Sequence, residues 1–180
     1  VTLMRIKNPG KEATKAIVET ASSSEDRRIK NTAIRSLVSI GDTDQLLAHS
    51  DNRLAQLALM RLHKPEVILG VVTKLEQSEG IERLGLIEVL ARLCHREAKW
   101  DLKSWWGTRP DDRGPYFAPE TWEETEHIKA ALERSFEKLN EDEQGQMLAI
   151  LGKNRVPVSQ LKLGDQDPFS LALVTPTPDQ

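Results

Sequence analysis

The sequence predicts an all-α fold in which helix pairs recur as an α-α superhelix, interrupted once by a long aromatic-rich loop. Three observations carry this. Apolar residues recur at helical spacing from Ala13 to Leu93 and again from Ile128 to Leu151. Asp26, Asp51, Ser78 and Asn140 are all good N-cap residues, and the segments they open align with one another. Between the two helical stretches, WDLKSWWGTRPDDRGPYFAPETW (Trp100 to Trp122) gathers all 4 tryptophans, the only tyrosine and one of 3 phenylalanines. Its three prolines and two glycines exclude a continuous helix or a central strand.

Taken in order, Asn8 and Pro9 have the signature of an N-cap followed by a first-turn proline, with Ala13, Ala16 and Ile17 on one face. A second helix is expected from about Asp26, with Ile29, Ala33, Ile34 and Leu37 at helical spacing and Gly41 as its stop. A short piece from Thr43 to His49 leads to a third pattern, Leu54, Ala58, Leu59 and Leu62. Pro65 opens an apolar helix with Val67, Ile68, Val71, Val72 and Leu75. Ser78 begins the next, with Ile81, Leu84, Gly85, Leu86, Val89, Leu90 and Leu93. Past the aromatic stretch, Thr121 and Glu124 have capping-box spacing before the stripe Ile128, Ala131, Leu132, Phe136 and Leu139. Asn140 is expected to cap a last helix carrying Met147, Leu148 and Leu151. From Arg155 onward the prolines dilute the pattern, and Val158 to Val174 offers at most a short helix.

Seven positions after the aligned caps stand Ala33, Ala58, Gly85 and Met147; eleven after stand Leu37, Leu62, Val89 and Leu151. Small residues at the seventh position admit a neighbouring helix, and large ones at the eleventh fill the space between layers. Ile29, Leu54, Ile81 and Glu143 occupy the third position. The steps between caps are 25, 27 and 62 residues, so the third exceeds the others by about the length of the aromatic stretch. The expected division is therefore a repeat array over 1–154, with an insert at 97–121, and an irregular tail or truncated next repeat over 155–180.

Cap, apolar, basic, small and leucine, as in Asp26, Ile29, Lys30, Ala33, Ser36 and Leu37, resembles the second helix of HEAT-like repeats. Ala55 and Arg61 depart from that pattern in the second copy. The resemblance implies an α-solenoid used as a scaffold or binding surface. The run LARLCHREAKWDLKSWWGTRPDDRGPYFAPETWEETEHI, about a quarter of the chain, resembles the HEAT region of large planctomycete-type proteins. In that family a β-propeller described as a membrane-bound dehydrogenase precedes the repeats and a c-type cytochrome follows. That likeness implies an exported, periplasmic redox parent. This sequence has no CxxCH, and Cys94–His95 is no substitute, so any haem belongs elsewhere in the parent and no cofactor is expected here.

Composition narrows the partners. With 25 basic and 28 acidic residues the net charge is −3, a poor footprint for nucleic acid. No apolar run is long enough to span a bilayer. One cysteine excludes an internal disulfide but leaves the compartment open. The first residues lack a signal peptide's apolar region and an initiator methionine, and with the ragged end VTPTPDQ suggest a segment of a longer polypeptide.

Trp100, Trp105, Trp106, Tyr116 and Trp122, interleaved with Arg109, Asp111, Asp112 and Arg113, are the candidate site, a platform for a protein partner or a carbohydrate. The plainer reading has the rings lying on the helices as anchors for a loop whose ordering entropy is otherwise unopposed, and it is preferred. A metal site would need Cys94, His95 and His127 to converge across the insert; isolated residues of these types near helix ends are usually structural. HExxH, CxxC, EF-hand, GxSxG and Walker patterns are absent. Ser22 to Glu25 reads as a turn, Glu120 to Glu126 as acids favouring a helix N-terminus, and the cations at 27, 28, 30 and 35 as a solvated face. The expected role is a non-catalytic scaffold, with ligand binding by the insert as the alternative.

Overall fold

A computed structural model describes residues 11–99, 101–103 and 118–163. Among them are eight α-helices and a single two-stranded ladder, so the fold is all-α in kind. The expected cap at Asn8 and Pro9, and most of the insert, lie outside the described residues. Helix α1 (Lys11–Ser22) buries Thr14, Ile17, Val18 and Ala21. Ala16, expected on that face, is exposed; the buried stripe runs i, i+3, i+4, i+7 from Thr14 instead.

Helix α2 (Arg27–Ile40) starts as expected, with Asp26 Oδ1 accepting the Arg28 backbone N–H at 2.7 Å. It stops at Gly41, whose φ of 65° suits a residue without Cβ and whose N–H donates to the Leu37 carbonyl. Ala33, Ile34 and Leu37 are buried, but Ile29 is 48% exposed. Helix α3 (Thr43–Ala48), capped by Asp42, buries Leu46. Helix α4 (Arg53–Leu59) is capped by Asn52, not Asp51. The Asn52 Oδ1 accepts from Leu54 N–H at 2.9 Å while its Nδ2 donates to Ser22 Oγ at 2.7 Å, a double use that a carboxylate cannot match.

Helix α5 (Pro65–Gln77) opens on proline and buries Val67, Ile68, Val71, Val72 and Leu75 as its spacing predicts. Ser78 does not cap the next helix: its hydroxyl donates to the Leu75 carbonyl, finishing α5. Helix α6 (Gly80–Leu93) follows a turn at Gly80, φ 54°. Its Leu86, Ile87, Val89, Leu90 and Leu93 are fully buried, whereas Ile81 in the first turn is 89% exposed. Contacts divide the chain into two compact units at Val89/Leu90.

In the second unit, β1 (Arg96–Glu97) pairs antiparallel with β2 (Pro119–Glu120). Helix α7 (Thr125–Phe136) buries Ile128, Ala131, Leu132 and Phe136. Its start differs from expectation: Glu124 is the cap position and makes no capping bond. Helix α8 (Glu141–Lys153) has the full capping box, Asn140 Oδ1 accepting from Glu143 N–H at 3.0 Å and Glu143 Oε2 from Asn140 N–H at 3.2 Å. Met147, Leu148 and Leu151 are buried. A 3₁₀ turn, Val158–Gln160, is all that regular structure offers between 155 and 163.

Candidate functional site

The neck of the aromatic stretch is where the described residues build something specific. Helix α6 ends with carbonyls that have no partner within the helix, as every helix does. Two side chains from beyond the aromatic stretch serve them. The Trp122 indole N–H donates to the Leu93 carbonyl at 2.8 Å. The Thr125 hydroxyl donates to the Cys94 carbonyl at 2.7 Å and accepts the Trp122 backbone N–H at 2.9 Å. Thr125 is buried, and its bond to the Cys94 carbonyl forms away from water.

Arg96 adds a third tie. Its guanidinium lies 4.0 Å from the centroid of the Trp122 ring, a geometry worth about 0.5–1 kcal/mol where solvent reaches it. The ladder pairs Arg96 with Glu120 and Glu97 with Pro119, and Ala98 N–H donates to the Ala118 carbonyl at 3.1 Å. The chain thus leaves the end of α6 and returns toward α7 at adjacent points.

Of the residues expected to form the site, Trp122 alone falls among those described. It is half-buried and fixed by its ring nitrogen and its face, an anchor in its own right. Trp100, Trp105, Trp106, Arg109, Asp111, Asp112, Arg113 and Tyr116 lie outside the described residues. Sequence reasoning missed Arg96 and Thr125. The signal was a threonine four residues after Thr121 in TWEET, close enough to be confused with it.

Compared with family models, curated proteins and solved structures, the chain matches none. The chemistry around the neck is therefore read from its own residues. Burial pushes the Cys94 thiol up to about 11; Lys129 lowers it and Glu126 raises it, both less strongly. A thiol so placed is protonated and a poor nucleophile at neutral pH. Burial, helped by the Lys129 charge, lowers the His95 pKa and favours the neutral imidazole. His127 lies elsewhere in its bonding, Nδ1 standing 3.0 Å from Glu124 Oε2. Among the described residues no group of three or more His, Cys, Asp or Glu side chains could hold a metal ion. No described helix is long and apolar enough to cross a membrane.

Proposed function

We propose that this chain is a non-catalytic helical-repeat scaffold, with HEAT-like helix pairs over 1–154 forming an α-α superhelix. The aromatic stretch is one insertion into that array, and the segment after 155 is a tail or the start of a truncated repeat. The observation that supports this most is burial at matched positions. Ala33, Ala58 and Met147 are buried at the seventh place and Leu37, Leu62, Val89 and Leu151 at the eleventh. Gly85 completes the seventh-place set, its Cα facing the Gln56 amide at a distance that leaves no room for a Cβ. The third position carries no such regularity, since Ile29 and Ile81 are exposed.

By the resemblance of the Trp100–Trp122 run, the parent is an exported redox protein in which a propeller dehydrogenase and a c-type cytochrome flank the repeats. The module holds its neighbours in relation and offers them, or another protein, a surface. Carbohydrate binding by Trp100, Trp105, Trp106 and Tyr116 with the adjoining Arg and Asp residues is the alternative. Trp122 is already engaged as an anchor, which supports the scaffold reading for that ring.

The test is the isolated chain together with its parent gene. The scaffold reading expects no haem absorbance and no redox turnover from the chain, with CxxCH encoded downstream and a propeller upstream. Turnover by the chain alone contradicts it.

A further inference from the structure

Helix α2 carries four cations, Arg27, Arg28, Lys30 and Arg35, and no acidic residue. None of the four takes part in an ion pair among the described residues. Arg28, Thr32 and Arg35 follow one another at i, i+4 and i+7, so they form one exposed row along the helix. Beside that row Ile29 is 48% exposed, a large apolar side chain in water among charges.

Between α1 and α2 lies a cleft of about 460 Å³. Five apolar residues, Ala16, Ile17, Ala21, Ile29 and Ala33, line it together with four polar ones, Arg28 among them. Three alanines leave the lining low enough for the backbone of another helix to come close. Helices pack at roughly 8–10 Å between axes when the residues between them are small. The 14 residues of α2 span about 21 Å.

We propose that the α1–α2 cleft docks an acidic amphipathic helix from a protein partner. Its apolar stripe would lie on the exposed Ala16 and Ile29, above the buried Ile17 and Ala33, and its carboxylates would face Arg28 and Arg35. Charge and shape together select this occupant. Arg28 on the cleft wall and Arg35 two turns further along call for carboxylates, and the apolar part of the lining calls for an apolar ridge. An acidic amphipathic helix supplies both. Nucleic acid supplies phosphates but no apolar stripe to enter the cleft, and a bilayer surface is too broad to enter it. The inference rests on the scaffold reading only in requiring a partner.

The probe is a fluorescein-labelled peptide of about 18 residues, with Leu at i, i+3, i+4 and i+7 and Glu on its other face. Anisotropy with the full chain is expected to show saturable binding that weakens as salt rises. Arg28→Glu/Arg35→Glu is expected to weaken it by about tenfold or more, with helicity retained by circular dichroism. Amide shifts on binding are expected in α1 and α2. Failure of the Glu peptide to bind, equal binding of its Lys counterpart, or undiminished binding to the double variant overturns the proposal. So does binding confined to single-stranded RNA or phosphatidylserine vesicles. Redox turnover by the chain would defeat the scaffold reading while leaving peptide binding intact, so the two failures are distinguishable.

Discussion

The Trp122 indole N–H bonds to the Leu93 carbonyl at 2.8 Å, joining the end of α6 to a residue 29 positions later. Trp122→Phe keeps a ring under Arg96 and removes that bond. The expected loss is about 1 kcal/mol, read from the urea midpoint of the transition that includes α7. Trp122→Ala also removes the ring face and is expected to cost about 2–4 kcal/mol. Equal losses in the two variants would mean that the hydrogen bond, not the ring, does the anchoring.

Gly85 and Gly70 both face a side chain at 2.2 Å from where a Cβ would stand, yet opposite outcomes are expected of them. At Gly85 the obstacle is the Gln56 amide, which is buried and held by its Nε2 donation to the Ser50 carbonyl at 2.8 Å. Gly85→Ala is expected to destabilise by about 1–3 kcal/mol despite alanine's higher helix propensity. At Gly70 the obstacle is the Leu47 Cδ1 methyl, the far end of a half-buried, flexible side chain. Gly70→Ala is expected to be neutral or to stabilise by up to about 1 kcal/mol. Chemical denaturation of both variants checks the contrast.

His95 sets a pH dependence. Burial and Lys129 lower its folded pKa below the ordinary 6.5. As pH falls through 6.5 the unfolded chain takes up the proton before the folded one, so stability declines from there downward. His95→Gln removes this titration. Its stability is expected to fall less steeply than the parent chain's between about pH 7 and 5.5, measured by urea titration at each pH. Parallel slopes would show that His95 does not contribute.

Much of the frame was legible because strong local signals agree with packing. Pro65 with its five buried apolar partners, Gly41 at a left-handed turn, and Asn140 with Glu143 all behave as their spacing predicts. The misreadings share a cause: adjacent residues of equal local merit, separated only by tertiary contacts. Asn52 displaces Asp51 because it also reaches Ser22. Thr121 leaves the cap position to Glu124, and it is Thr125, four residues on, whose hydroxyl reaches the Cys94 carbonyl. The Arg96–Glu97 and Pro119–Glu120 ladder has two residues per strand, too few for any period to register. Ile29 and Ile81 sit in first helical turns, where the 3.6-residue rhythm holds but no neighbour covers them.

The carbohydrate alternative has its own measurement. The scaffold reading expects a glycan array to give no saturable binding to the intact chain. Saturable binding that Trp105→Ala and Trp106→Ala abolish, with the helical circular dichroism signal unchanged, would establish the ligand-binding reading in its place.

The aromatic stretch is open to excision. Because Ala98 N–H already bonds to the Ala118 carbonyl, residues 99–117 can be replaced by Asn-Gly, a pair suited to a tight antiparallel turn. If the stretch is an excursion from an otherwise helical frame, the shortened chain should keep its helical signal and unfold cooperatively, at a midpoint close to that of the intact chain. Loss of the helical signal, or of a cooperative transition, would show that the aromatic stretch organises the fold and contradict the account.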